Sequence, residues 1–209
     1  MKLIFFGTPD FAIPSLELLH KSHHEILAVI TSTDKKSGRG LKIALSPIKL
    51  LAKKYNYPIY QPTNFKNNDF IRELTNLNPD LFIVVAFKKL PTNIISIPLK
   101  GSINLHASLL PKYRGAAPIY HALINNEKHT GVTTFFLNNN IDSGKILLQK
   151  IYKLNDTISA GLVHDDLALL GANLLIDTLS NIESETISPY SQNNSLSTFA
   201  PKITSHDCL

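Results

Sequence analysis

Leu81-Phe82-Ile83-Val84-Val85-Ala86 is an unbroken apolar run the length of one strand. A strand with one wet face alternates apolar and polar residues, so a run without polar residues reads as buried on both faces. Such strands lie at the centre of parallel sheets covered by helices on either side. This run therefore commits the chain to an α/β layered fold.

The rest of the chain fits that commitment. Lys2–Phe6 reads as a strand, and Gly7-Thr8-Pro9-Asp10 turns it into a helix ending near Lys21. This is the layout of a nucleotide-fold βα unit, but Gly-Thr-Pro is not G-x-G-x-x-G, and no dinucleotide follows from it. Ile26–Thr31 is a second buried strand. The polar stretch Thr33–Leu45 exceeds a routine βα connection and is read as functional. Ser46-Pro47 has the N-cap and first-turn residues of a helix reaching about Tyr55. Ile59-Tyr60 is a brief strand, Asn68–Leu77 a helix, and Pro91–Ser96 a short helical stretch. Gly115-Ala116-Ala117-Pro118 opens a helix to about Asn125. Gly131–Leu137 and Lys145–Tyr152 pair around the turn at Asn138–Gly144, and Ser159 caps a helix to about Asn181. From Glu183 onward the Ser-, Asn- and Pro-rich sequence has little periodicity and reads as a linker. A Rossmann-like, open, mostly parallel sheet flanked by helices is the expected architecture.

Composition sets outer limits. With 209 residues, 44% hydrophobic and 18% charged, the chain suits one globular α/β domain burying roughly 70% of its unfolded surface. No apolar run is long enough to span a bilayer. A single cysteine, Cys208, permits no internal disulfide or thiolate metal cluster, so the cytoplasm is the expected compartment. A monomer with no membrane partner is expected as well. The net charge of +5 is unevenly placed. Between Thr31 and Tyr57 stand seven basic residues (Lys35, Lys36, Arg39, Lys42, Lys49, Lys53, Lys54) and one acid, Asp34. That clustering suits a polyanionic partner or a solvated basic face.

The chemistry gathers at Ile103-Asn104-Leu105-His106-Ala107-Ser108-Leu109-Leu110-Pro111. Side chains alternate along a strand, so Asn104 and His106 share a face while Leu105 points to the core. They lie at the carboxyl end of the strand, where open α/β sheets bind ligands. Alone, the pair also suits an ordinary strand with two satisfied polar residues. Downstream, Asp142-Ser143-Gly144 is a turn sequence whose Asp is either a turn former or a functional carboxylate.

Asn104-x-His106-x-Ser108-Leu109-Leu110-Pro111 with the later Asp142-x-Gly144 resembles the signature of the folate-dependent formyltransferase family. Further motifs resemble the branch that formylates methionyl-tRNA. They are Phe6-Gly7-Thr8-Pro9-Asp10-Phe11, Gly38-Arg39-Gly40 before Ser46-Pro47, Arg114-Gly115-Ala116-Ala117-Pro118-Ile119, Thr130-Gly131-Val132-Thr133 and Phe199-Ala200-Pro201-Lys202. Two departures stand out: Leu41-Lys42 replaces two adjacent lysines, and Leu45 replaces the proline before Ser46-Pro47. The resemblance implies 10-formyltetrahydrofolate as co-substrate, initiator methionyl-tRNA as acceptor, and N-formylmethionyl-tRNA for translation initiation as product. It implies catalytic roles for Asn104 (oxyanion donor), His106 (donor or proton carrier) and Asp142 (orienting the imidazole or relaying a proton), with no metal. It implies folate contacts at Ser108, Leu109, Leu110 and Pro111, where the plain alternative for the leucines is core packing. Arg39 and Lys42 become tRNA contacts, or else ordinary loop charges. Residues 1–182 would be the catalytic domain and 183–209 a linker or tail, with the family's C-terminal barrel absent from this chain. Formylation of a sugar-nucleotide or another amine, or a low-activity folate- or RNA-binding remnant, are the competing readings.

Overall fold

The computed structural model describes residues 1–37, 42–155 and 157–204, with side chains omitted for 35–37 and 42–43. The chain divides into two compact units, Met1–Ile103 and Asn104–Leu209. Seven strands make up a mixed, mostly parallel sheet, with helices flanking it, in agreement with the expected class.

In the first unit the elements are β1 (Lys2–Gly7), α1 (Ile13–Lys21), β2 (Glu25–Ile30), β3 (Lys35–Ser37), β4 (Lys42–Ala44), α2 (Pro47–Lys54), β5 (Ile59–Tyr60), α3 (Asn68–Asn76), β6 (Leu81–Val85), α4 (Thr92–Ile95) and the start of β7 (Ser102–His106). β1 lies between β6 and β2, parallel to both, and β5 is the parallel neighbour of β2. Every residue of β6 is buried, as its apolar run requires, and Phe5, Phe6 and Phe82 are fully enclosed. Helix starts follow local chemistry. The Ser46 hydroxyl caps α2 by accepting from the Lys49 N–H at 3.1 Å, and Asn67 caps α3 through the Asp69 and Phe70 N–H groups. The stretch read as a long loop contains a short antiparallel ribbon instead, Lys35–Ser37 against Lys42–Ala44. Three-residue strands of mostly polar residues lack the length and alternation that mark a strand in sequence.

The second unit holds the tip of β7, then β8 (Arg114–Gly115), α5 (Pro118–Ile124), β9 (His129–Phe136), β10 (Ile146–Lys153), α6 (Ala160–Glu183) and β11 (Phe199–Ala200). β9 is hydrogen-bonded to β7 on one side and runs antiparallel to β10 on the other. α6 starts at Ser159, whose hydroxyl accepts from the Leu162 N–H, and lies on β9 and β10. Its buried residues, from Val163 through Leu167, Gly171, Leu175, Thr178 and Ile182, recur at helical spacing along one stripe. Thr178 meets Thr134 of β9 in a buried hydroxyl pair at 2.7 Å, so neither polar group is stranded. No helix among the described residues is long and apolar enough to cross a membrane.

The segment after Glu183 is not a free tether over its described length. Tyr190 bridges Ile146 by backbone bonds of 2.9 and 3.0 Å in each direction, and β11 pairs in parallel with β8. These attachments use isolated backbone and side-chain bonds, which leave no periodic trace in sequence.

Gly171 sets how closely α6 approaches β7. A Cβ there would fall 2.7 Å from Leu105 Cδ2 and 3.0 Å from Cδ1, well inside contact distance. Gly171→Val is expected to lose about 1–3 kcal/mol of stability in denaturant melts through overpacking. Adding Leu105→Ala should recover part of that loss. A Gly171→Val chain as stable as the parent would show that the helix does not press on Leu105.

Candidate active site

The site is built within the second unit. Strand parity holds: Leu105 is buried toward Gly171, while Asn104 and His106 take the opposite face. The His106 ring is 6% exposed and lies edge-on to Phe135, centroids 6.4 Å apart. Its Nε2 is 2.8 Å from the carbonyl of Tyr113. A carbonyl only accepts, so Nε2 carries the hydrogen and Nδ1 is left for other work. Nδ1 stands 3.7 Å from Asp142 Oδ2, with that carboxylate 15% exposed. Asn104 is half-buried, and its amide has no hydrogen-bond partner among the described residues.

Asp142 reaches His106 because its turn is tightly specified. The same Oδ2 accepts from the Gly115 N–H at 2.8 Å, and the Asp142 backbone is left-handed at φ 47°. Asp tolerates that region better than most residues. Two positions on, a Cβ at Gly144 would lie 1.6 Å from the Phe136 carbonyl oxygen. Only glycine fits, which is the physical basis of the Asp-x-Gly spacing.

Tyr113 is anchored from several sides. Its N–H donates to Thr198 Oγ1 at 2.8 Å, and its hydroxyl donates to Glu127 Oε1 at 2.7 Å and accepts from Asn125 Nδ2 at 3.1 Å. Burial, first among the causes, pushes its phenol upward. The Tyr113 hydroxyl and then Lys112 hold the Glu127 carboxyl below its ordinary range. Arg114 is 6% exposed, and burial lowers its guanidinium while Asp142 acts in the other direction.

The Ser108–Pro111 segment is fastened by β9 and β10. Thr133 Oγ1 donates to the Ser108 carbonyl at 2.6 Å and accepts from the Leu110 N–H at 3.1 Å. Gln149 Nε2 donates to the Leu110 carbonyl and to Thr133 Oγ1, each at 2.9 Å. Ser108 Oγ donates to the Lys112 carbonyl at 2.6 Å. The two leucines are not equivalent. Leu110 is 3% exposed and packs with Phe135 and Ile146, whereas Leu109 is half-exposed and lies over Gly131. Pro111 is half-exposed, joined to Leu110 by a cis bond.

The basic stretch belongs to the first unit. Arg39 lies outside the described residues, and of Lys42 only the backbone, in β4, is described. Lys49 is engaged internally: Nζ donates to Asp34 Oδ2 at 2.6 Å and to Gln61 Oε1 at 2.5 Å. The Lys49 contact, then Gln61, lowers the Asp34 carboxyl. One of the seven basic residues is thus already neutralised within the fold.

Tyr113, Thr133, Gln149 and Gln192 were not foreseen as supports of the site. Thr133 sits within one of the quoted motifs and Arg114 within another, which is the trace they leave in sequence. Tyr113, Gln149 and Gln192 have no local signal, because their partners lie 7 to 85 residues away.

An amide that donates, an imidazole with one nitrogen free and a carboxylate beside it are the parts needed for group transfer at a carbonyl carbon. Residues 1–179 match the model of the formyl transferase family, and the chain belongs to that family. The methionyl-tRNA formyltransferase of Caldanaerobacter subterraneus is 45% identical over 206 residues, covering 98% of this chain and 67% of that protein. That of Thermodesulfovibrio yellowstonii is 47% identical, again over 98% and 67%. The chain spans about two thirds of the length of such relatives, 64–67% for the first three. Among solved structures, an N-formyltransferase from Helicobacter canadensis in complex with folinic acid and dTDP-3-aminofucose superposes with TM-score 0.72. It is 26% identical, and the match covers 99% of this chain and 72% of that one. Phosphoribosylglycinamide formyltransferase from Bacillus halodurans, 17% identical with TM-score 0.73 over 88% and 96%, shares the fold.

The anchoring of Tyr113 gives a stability signature. The folded-state pKa of Glu127 is depressed below 4.5, so its contribution is present above the unfolded carboxylate range and lost as pH falls through the folded value. Below about pH 4.5 the stability of the parent chain should therefore fall more steeply than that of Glu127→Gln, measured by urea melts from pH 6 to 3. Parallel curves for the two chains would show that this carboxylate is not held by Tyr113 and Lys112.

Proposed function

We propose that this chain transfers the formyl group of 10-formyltetrahydrofolate to the α-amino group of methionyl-tRNA, giving N-formylmethionyl-tRNA. The reading is carried by identity of 45% sustained over 206 residues with a methionyl-tRNA formyltransferase. It is supported by the His106–Asp142 pairing and by the basic bias of the Thr31–Tyr57 stretch. A cytoplasmic setting and action as a monomer belong to the same reading.

The chemistry is addition followed by elimination. The neutral amine attacks the formyl carbon, a C–N bond forms, and the carbonyl oxygen gains negative charge. The unpartnered amide of Asn104 donates to that oxygen. The attacking nitrogen then sheds a proton and N10 of the folate gains one as its bond to carbon breaks, so no net proton is consumed. Nδ1 of His106 is the ring nitrogen able to carry it, because Nε2 is occupied by the Tyr113 carbonyl. A proton arriving there is carried on a nitrogen 3.7 Å from Asp142 Oδ2, and that carboxylate offsets the positive charge. Folate is held by Ser108, Leu109, Leu110 and Pro111. Leu109 supplies the accessible apolar surface, while Leu110 supports it from beneath. Arg39 and Lys42 meet the tRNA.

His106→Ala and Asn104→Ala should each lower kcat on the order of 10²–10³-fold. Formyl-Met-tRNA is separated from Met-tRNA on acid gels after incubation with the co-substrate. The melting temperature should barely change for Asn104→Ala, whereas His106→Ala should lower it, because it empties a buried site and leaves the Tyr113 carbonyl without its donor. Near-parental turnover in His106→Ala would remove the imidazole from the mechanism.

Arg39→Ala should raise KM for Met-tRNA several-fold and flatten its salt dependence, because a phosphate contact is lost. Folate affinity should stay the same in a fluorescence titration. Equal losses for both substrates would place Arg39 elsewhere than on the tRNA.

A further inference from the structure

The side chain of Gln192 joins two segments that flank His106. Its Nε2 donates to the carbonyls of Asp142 at 2.9 Å and Gly144 at 2.8 Å. Its Oε1 accepts from Arg114 Nε at 3.1 Å and Arg114 Nη2 at 2.6 Å. Both hydrogens and both lone pairs of one amide are thus in use, the full capacity of that group. Glutamate lacks the donors, and asparagine is one methylene shorter. We infer that Gln192 is a positioning residue that holds the Asp142 turn against Arg114 and so sets the carboxylate beside His106. The inference rests on the roles proposed above for Asp142 and His106.

The surroundings make the coupling stiff. On one side of Gln192, Tyr190 is tied to Ile146 by a pair of backbone bonds. On the other, β11 is paired to β8, and Thr198 accepts from the Tyr113 N–H. Arg114 Nη2 also donates to Asn194 Oδ1 at 2.9 Å, so the buried guanidinium is gripped from two residues of this strap. At the other end of the bridge Asp142 is left-handed, a conformation that surrounding bonds must maintain. The same strap thus fixes both partners of the imidazole. It touches Tyr113, whose carbonyl holds Nε2, and Asp142, whose carboxylate faces Nδ1.

The test compares the 209-residue chain with Gln192→Leu, Gln192→Glu and Asp142→Asn. Gln192→Glu keeps an acceptor for Arg114 but turns two donated bonds into contacts between oxygens, so it separates folding from positioning. Two readouts are taken: kcat and KM for formyl transfer with their pH profiles, and the ring ¹⁵N signals of His106, which report the neighbouring carboxylate with or without turnover. Both Gln192 variants should lower kcat on the order of 10–100-fold with KM for the folate little changed. Their pH profiles and His106 signals should move toward those of Asp142→Asn, with Gln192→Glu melting close to the parent. If Asp142→Asn alters kcat or the His106 signals while folded Gln192 variants match the parent in both, the positioning role is overturned and the reading of Asp142 stands. If Asp142→Asn itself matches the parent in both, the reading of Asp142 falls and takes this inference with it. Should the chain show no transfer, the ¹⁵N signals decide by the same comparison.

Discussion

The hydrogen bond from Nε2–H of His106 to the Tyr113 carbonyl determines what the imidazole can do. In a ring 6% exposed to solvent, a backbone acceptor selects one tautomer and leaves Nδ1 as the working nitrogen. A hydrogen bond shielded from water is electrostatically stronger than one exposed to it, and the group it holds is correspondingly costly to release. The position of one carbonyl oxygen therefore becomes a chemical specification. Whatever moves Tyr113 moves the ring.

Much of the surrounding structure restrains that carbonyl. Tyr113 has a left-handed backbone, φ 60°, which no aromatic residue adopts without support. The support comes from Thr198 at its N–H and from Glu127 and Asn125 at its hydroxyl. Asp142, at φ 47°, is held in the same way by the Gly115 N–H and by Gln192. Two left-handed residues thus flank one imidazole, each kept in place by bonds from distant segments. Backbone conformations of this kind persist where surrounding structure over-determines them. On the third side, Thr133 and Gln149 convert β9 and β10 into a frame for Ser108–Pro111 and place Leu110 in the core beneath it. The sheet supplies rigidity and, at the tip of β7, Asn104 and His106, while the loops supply the Tyr113 carbonyl and the Asp142 carboxylate on either side of the imidazole.

The sequence by itself determined the layered α/β class, the two-faced burial of Leu81–Val85, and the shared face of Asn104 and His106. It also marked the helix starts at Ser46 and Ser159, and it brought Asp142-x-Gly144 into the reading. Each is settled within a few residues, by side-chain period, by a cap reaching three residues along, or by a glycine that nothing else can replace. Only the tertiary structure decided that Leu110 is core while Leu109 is accessible, and that Lys49 is neutralised by Asp34. It also decided that the segment after Glu183 is a strap rather than a tether, and that a tyrosine carbonyl sets the histidine tautomer. The reason is physical. A backbone carbonyl carries no residue identity to read, and a side-chain amide such as Gln192 can serve any partner within reach. Its partners here come from positions 114, 142 and 144, which only the folded chain brings together.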